Sequence, residues 1–154
     1  MTVIELQTSV ADALNDVEAL VQGGCKAFAE DTRTVYNEAD QWVAGGKVAL
    51  VVVTPDMSRN GDAADGIPAE TQLLVQCSEK PAAARVQPGV MTALDAAEIA
   101  AWELNMLPVE GVGVLVAKEI SSALLDERTI SYAVRLEVQT TLGDPLDSRK
   151  EEAV

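Results

Sequence analysis

Val48-Ala49-Leu50-Val51-Val52-Val53 is the longest strongly apolar run in the sequence. It is rich in β-branched residues, it does not alternate with polar residues, and it lies between Gly45-Gly46 and Thr54-Pro55-Asp56. A short, unalternating apolar run bounded by turn residues is typical of a strand that is buried on both faces. The run therefore predicts a central strand of a sheet that is covered on each side.

Two segments alternate apolar and polar residues, as a strand with one buried face does. They are residues 70–78 and residues 129–140. Residues 113–120 and the short stretch 26–29 also fit strands. A turn that contains Asp126-Glu127-Arg128 separates 113–120 from 129–140, which predicts a hairpin. The predicted inward side chains of the two alternating strands are Thr71, Leu73, Val75, Cys77, Ile130, Tyr132, Val134, Leu136 and Val138.

Three segments space their apolar residues as a helix does, namely residues 9–21, 34–43 and 93–107. Ser9 is the predicted cap of the first helix, and Thr2 with Glu5 also fits a capping box that would extend this helix towards the N-terminus.

Thr92 is the predicted cap of the last helix, and Pro108 ends it. Trp42 and Trp102 lie at apolar positions of their helices and are interpreted as core residues. The alternative interpretation is that each of them anchors an interface.

The order of these segments predicts an α+β fold, because strands come in pairs separated by helices. We expect a mostly antiparallel or mixed four-stranded sheet with two or three helices packed on one face. Residues 1–142 form a single predicted domain, and residues 143–154 form a charged, flexible tail. Residues 55–69 and 80–91 are predicted to be long loops.

The composition excludes several kinds of chemistry. The chain has 25 acidic and 11 basic residues, a net charge of −14 and no histidine. Catalysis that uses histidine is therefore excluded, and two cysteines are too few for a zinc site. The negative field repels nucleic acid and anionic lipid, so we expect no specific nucleic-acid binding and no membrane binding. We expect no enzymatic activity, no cofactor and no metal.

The remaining motifs are interpreted as structural. Gly45-Gly46-Lys47 lacks the Ser or Thr that completes a phosphate-binding loop. Asp12 and Asp16 share a helix face and could hold a divalent cation, but they are interpreted as a solvated face. Asp56, Asp62 and Asp65 share a predicted loop, but their spacing does not match an EF-hand, and they are interpreted as part of a solvated loop. No basic leader is visible, and we expect a protein made in the cytoplasm.

Four features together carry a family resemblance. They are the strand at residues 47–56, the stretch Thr71-Gln72-Leu73-Leu74-Val75-Gln76-Cys77-Ser78-Glu79-Lys80-Pro81, the helix start Thr92-Ala93-Leu94-Asp95-Ala96-Ala97-Glu98 and the final hairpin. This layout, over residues 35–142, resembles small tail proteins of double-stranded DNA phages and prophages. The most similar group in layout is the tail terminator, or tail-completion, family.

The resemblance implies a structural protein that forms a ring, typically of six subunits, on the end of the tail tube. Its partners would be further copies of itself, the tail tube and the head-tail connector, and it would be assembled in the host bacterial cytoplasm before it becomes part of the virion. The family's own interface residues find no match here, and its pattern does not account for the segment 55–69. The polar sheet faces and long loops supply the candidate interface residues, which are Asp56, Arg59, Asn60, Gln72, Gln76, Arg85, Arg135, Glu137 and Gln139.

Two other functions stay open at this point. One is a cytoplasmic adaptor or regulatory module without catalytic activity, in which Trp102 and an exposed sheet edge bind a partner protein. The other is a small hydrolase or metal-dependent enzyme that uses carboxylates alone.

Overall fold

The computed structural model describes residues 2–30, 33–59, 67–84, 87–109, 113–126 and 128–142, and for 55–59, 67–70 and 139–142 it describes the backbone alone. The elements are α1 (Val3–Asn15), α2 (Glu18–Gln22), β1 (Cys25–Ala29), α3 (Val35–Ala44), β2 (Val48–Arg59), β3 (Ile67–Glu79), α4 (Pro81–Ala84), α5 (Ala93–Leu104), β4 (Pro108–Val109), β5 (Gly113–Val114), β6 (Val116–Leu125) and β7 (Ile130–Leu142).

The main sheet has five strands in the order β1-β2-β3-β7-β6. All neighbours are antiparallel except β1 and β2, which run parallel with Cys25 opposite Val48. The predicted α+β class is confirmed, and the prediction of four strands is wrong by one. The fifth strand is β1, which has only five residues and therefore a weak sequence pattern. Its pairing with β2 holds it in the sheet.

One face of the sheet carries the larger core. Helices α1 and α5 pack on it, and its side chains are almost entirely aliphatic. Seven of the nine inward residues predicted from the alternation in β3 and β7 are buried, whereas Ile130 and Tyr132 are partly buried and pack against this core. The fully buried or nearly buried side chains of this core include Leu6, Val10, Leu14, Val48, Leu50, Val52, Leu73, Val75, Ala96, Ala97, Ala100, Leu104, Val134 and Leu136.

The other face carries a second, smaller core under α3. Val35, Ala39 and Val43 of α3 pack against Ala49 and Val51 of β2, together with Phe28 of β1. Two of the predicted helices therefore pack on one face, and the third packs on the opposite face. A parallel pair of strands needs a crossover connection, and α3 is the crossover between β1 and β2. The prediction that β2 is buried on both faces is confirmed.

The first helix begins earlier than the cap at Ser9 predicts. Thr2 and Glu5 form the capping box, in which Glu5 N–H donates to Thr2 Oγ1 at 3.2 Å and Thr2 N–H donates to Glu5 Oε2 at 3.1 Å. Ser9 lies inside α1, where its hydroxyl donates to the Glu5 carbonyl at 2.9 Å. The predicted single helix 9–21 is two helices, since α1 ends at Asn15 and α2 begins at Glu18.

The helix α5 begins at the predicted cap. Thr92 Oγ1 accepts a hydrogen bond from Asp95 N–H at 3.1 Å, and the buried carboxylate of Glu79 accepts one from Ala93 N–H. The helix ends at Leu104, before the predicted end at residue 107. Met106 then adopts a φ of 65° and donates its N–H to the carbonyl of Leu115 at 2.8 Å, which turns the chain back towards β6.

The segment 55–69 is not a loop at its two ends. The strand β2 continues to Arg59, and β3 begins at Ile67, with Arg59 opposite Ala69. On its other side β3 pairs with the end of β7, from Ile67 opposite Leu142 onwards. Backbone hydrogen bonds to β7 thus extend the ladder through a polar stretch that local sequence predicts as a loop. Residues 60–66 and the tail 143–154 lie outside the described residues, as does part of the loop predicted at 80–91.

The hairpin of β6 and β7 is confirmed. Asp126 Oδ1 accepts hydrogen bonds from the N–H groups of Arg128 and Thr129, each at 2.7 Å. These two hydrogen bonds lower the pKa of the Asp126 carboxyl, and the bond from Thr129 has the larger effect. Of the described helices, none has the length and apolar character to cross a membrane.

The two tryptophans have different environments. Trp42 is half-buried beside the smaller core, and its indole N–H donates to the carbonyls of Val48 at 3.0 Å and Gly24 at 3.2 Å. Trp102 is 83% exposed, so its interpretation as a core residue is wrong. The buried face of α5 is a stripe of alanines with Leu104, and at about 100° per residue Trp102 lies on the opposite side of the helix.

We expect Trp102→Ala to change the free energy of unfolding by less than about 0.5 kcal/mol, since surface substitutions away from caps and networks have small effects. Leu104→Ala, at a side chain that is 1% exposed on the same helix, should cost about 2–5 kcal/mol. Urea unfolding of both variants measures the difference. An equal loss in the two variants would contradict this assignment of the two faces of α5.

Candidate interface surfaces

The described residues contain no group of three or more cysteine, aspartate or glutamate side chains placed to hold a metal ion. Cys25 and Cys77 are both free and buried. Burial raises the pKa of the Cys25 thiol to about 12. Burial also raises the pKa of the Cys77 thiol, and the nearby Cys25 makes a smaller contribution in the same direction. Both thiols therefore stay protonated at neutral pH and pack as small apolar groups.

Four of the predicted interface residues lie together on the outer side of β3 and β7. Gln72 is directly opposite Glu137, and Gln76 and Arg135 lie on the same side of these strands. All four side chains are partly buried. The backbone of Asp56 is opposite Gln72 on β2, so Asp56, Gln72 and Glu137 occupy one row across three strands.

The other four predicted residues are more dispersed. The backbone of Arg59 is at the end of β2, and the backbone of Gln139 is opposite Glu70. Asn60 and Arg85 lie outside the described residues.

On the outer side of β7 and β6, oppositely charged side chains form ion pairs with each other. Arg135 Nη2 is 3.5 Å from Glu119 Oε2, and Lys118 Nζ is 3.8 Å from Glu137 Oε2. Arg135 Nε is buried and has no hydrogen-bond partner among the described residues. This surface is therefore polar and nearly neutral, in a protein whose net charge is strongly negative.

The β1 edge of the sheet is closed by a side chain of α1. Asn15 Nδ2 donates to the Ala27 carbonyl at 3.0 Å, and Ala27 N–H donates to Asn15 Oδ1 at 2.9 Å. The Asn15 amide thus makes both hydrogen bonds that a neighbouring strand would make. Backbone groups in the middle of this edge are not available to another chain.

No further strand among the described residues pairs with the outer edge of β6, although Asn105 Oδ1 accepts a hydrogen bond from Ala117 N–H at 3.1 Å near its start. This strand has ten residues, and the side chains of residues 118–125 are exposed, among them Ile120, Leu124 and Leu125. The pairing with β7 shifts register at two places, between Ala117 and Glu119 and between Ser122 and Leu124. Charged residues and bulges of this kind protect an edge strand from pairing with other chains.

A basic aromatic cluster lies beside the β1 edge, on the outer side of the sheet. Lys47 Nζ is 4.1 Å from the centroid of the Trp42 ring, and Lys26 Nζ is 5.6 Å from it. Lys26 Nζ is also 5.3 Å from the Phe28 ring. These distances are those of cation–π contacts. Sequence reasoning missed this cluster, although Lys26 and Phe28 have the i, i+2 spacing that places them on one side of a strand.

A shallow groove of about 190 Å³ separates α3 from the outer side of β3. Tyr36, Val43, Gln76 and Lys80 are among its lining residues, and Lys80 Nζ pairs with Asp40 Oδ1 at 3.2 Å. Burial is the largest cause that raises the pKa of the Tyr36 hydroxyl, and the charge of Glu30 and its hydrogen bond raise this pKa further. The groove holds no set of groups that performs a recognisable reaction.

No protein-family model matches the chain, and no curated protein matches it. Its fold is similar to that of a chain in the solved structure of the virion of a native gene transfer agent (GTA) particle. The TM-score is 0.60 at 15% sequence identity, and the similarity covers 92% of this chain and 99% of that chain.

We expect Asn15→Ala to destabilise the protein by about 1–3 kcal/mol, because it removes two hydrogen bonds to a strand and opens the β1 edge. Asp12→Ala, at an exposed position of the same helix, is the control and should change the stability by less than about 0.5 kcal/mol. Urea unfolding measures both. Equal stability of the two variants would show that the Asn15 amide does not contribute to closing the edge.

Proposed function

We propose that this protein is a structural component of a phage-like virion and acts as a tail terminator. In this role it forms a ring on the end of the tail tube and joins the tube to the head-proximal connector. It is assembled in the cytoplasm of the bacterial host and then becomes part of the tail. The observation that carries the proposal is the similarity of fold, over nearly the full length of both chains, to a chain of a gene transfer agent virion.

The charge of the protein supports this role. A ring on a tail tube surrounds the path of the DNA, and a wall with a net charge of −14 per subunit repels DNA phosphates. DNA can therefore pass such a ring without binding to it. The outer side of β3 and β7 has a different property, because its charges are paired and its side chains are polar.

We assign this outer side of β3 and β7 to contact with the tail tube. It offers the partly buried side chains of Gln72, Gln76, Arg135 and Glu137, and α3 does not pack on it because α3 packs on β1 and β2. Polar surfaces without unpaired charges suit an interface that forms late in assembly, since its subunits stay soluble beforehand.

The second candidate function is an adaptor module that binds a partner protein without catalysis. The exposed Trp102 favours it, because a tryptophan at the surface is a frequent anchor of protein interfaces. An adaptor would bind a host protein and would be absent from purified particles.

Electron microscopy tests the tail terminator role. Purified tail tubes are incubated with the protein, and labelled protein is located along them. We expect rings at one end of the tube only. Labelled protein along the whole tube, or no binding together with capture of a host protein, would contradict the proposal.

The proposed tube surface predicts the effect of a single charge. We expect Gln72→Glu to reduce binding to tubes at least tenfold, since it adds an unpaired carboxylate opposite Glu137 in the contact, while thermal unfolding stays within a few degrees of the parent protein. Asn37→Glu, on the exposed side of α3, is the matched control and should bind as the parent does. Equal binding of the two variants would exclude this side of the sheet as the tube contact.

A further inference from the structure

We propose that, within the ring, the Trp102 side of α5 in one copy docks on the Lys26–Trp42–Lys47 cluster of the next copy. The proposal rests on the ring-forming function and names the two surfaces by which neighbouring copies meet. The contact is head to tail, because the two surfaces are different.

The Trp102 surface is apolar at its centre and acidic around it. Trp102 is 83% exposed, and at about 100° per residue Glu98 and Asp95 lie on either side of it on the helix. Leu94 is also exposed, and it lies two turns before Trp102. Most of the Trp102 side chain is therefore in contact with water, and burying a side chain of this size removes about 150–250 Å² of surface from water.

The Lys26–Trp42–Lys47 cluster is a complementary surface. Two ammonium groups approach the same indole ring, and neither lysine has a carboxylate within ion-pair distance among the described residues. Lys26, Phe28 and Trp42, together with Gln41 and Glu38, line a depression of about 330 Å³. Glu38 is the one acidic side chain of this lining, and its Oε1 accepts a hydrogen bond from Thr34.

Charge complementarity selects a second copy as the occupant. The chain has 25 acidic and 11 basic residues, so two copies of this strongly negative protein repel each other through their net charge. A pair of lysines without ion partners is the place where an acidic surface of the next copy is attracted. The Trp102 surface supplies both the acids and an aromatic anchor for that place.

The two surfaces cannot meet within one chain. Helix α5 packs on the inner face of the sheet over β3, β7 and β6, whereas the cluster lies on the outer side, at β1 and α3. A contact between two different surfaces of identical subunits repeats from copy to copy and closes into a ring when its rotation permits. The amide of Asn15 occupies the middle of the β1 edge, so this contact uses side chains and does not extend the sheet.

Two variants with opposite defects test the proposal. Trp102→Ala removes the anchor and keeps the lysines, whereas Lys26→Glu with Lys47→Glu removes the basic surface and keeps Trp102. The mass of each full-length protein is measured by light scattering, alone and as an equimolar mixture, and rings are counted on tail tubes. Ile4→Ala, at a side chain that is 51% exposed, and Lys80→Glu, which makes one such charge change elsewhere, are the controls.

We expect each variant alone to lose ring formation, with copy-to-copy affinity reduced at least about 30-fold for Trp102→Ala. The mixture should form a dimer and stop there, because it contains one intact pair of surfaces. Adding Glu98→Lys to the Lys26→Glu, Lys47→Glu variant should restore larger assemblies, since the charges are then exchanged. Both controls should assemble as the parent protein does.

Three results would overturn the proposal. Rings formed by either variant alone would show that these surfaces are not the contact, while the proposed function would stand. Normal rings that fail to bind tubes would assign Trp102 to the tube instead of the next copy. A parent protein that forms no ring, either in solution or on tubes, would overturn the proposed function as well.

Discussion

The burial of β2 on both of its faces is the constraint on which the rest of the structure depends. Val48, Leu50 and Val52 point into the core under α1 and α5, whereas Ala49 and Val51 point into the core under α3. An apolar strand in this position needs cover on each side, because either face would otherwise expose aliphatic side chains to water. The need for cover on the second face explains why one helix leaves the layer of the other two, and why β1 reaches its place beside β2 by a crossover.

The backbone groups of the two edge strands differ in whether a side chain satisfies them, and this difference determines which surfaces are free for contacts. A side-chain amide of α1 closes the β1 edge, and the buried Gln7 strengthens the same corner by donating to Thr54 Oγ1 at 2.7 Å and to Glu30 Oε1 at 3.2 Å. The β6 edge is longer and carries bulges. At the closed β1 edge few backbone groups can accept a further strand, so a protein contact there would have to use side chains.

The electrostatics of the chain distinguish three kinds of surface. Most of the exterior is acidic, the outer side of β7 and β6 neutralises its charges in pairs, and the cluster around Trp42 presents two lysines with aromatic rings as their contacts. Such a division fits the proposed role in a tail. In that role, repulsion would keep DNA from adhering, and protein contacts would be least opposed by charge in the neutral and basic areas.

Local sequence determined those features that depend on residues a few positions apart. The apolar run of β2, the alternation in β3 and β7, and the caps at Thr2 and Thr92 could all be predicted, because periodicity and capping are short-range effects. The angular position of a side chain around α5 also depends on local sequence alone. The stripe of alanines could therefore have been used to predict that Trp102 is exposed. Contacts between distant segments were decided by the tertiary structure alone. The pairing of β1 with β2, the extension of β3 along β7, and the meeting of Lys26 and Lys47 on one indole ring each join parts of the chain that no local pattern connects. Backbone hydrogen bonds and packing form these contacts only when the whole sheet is assembled.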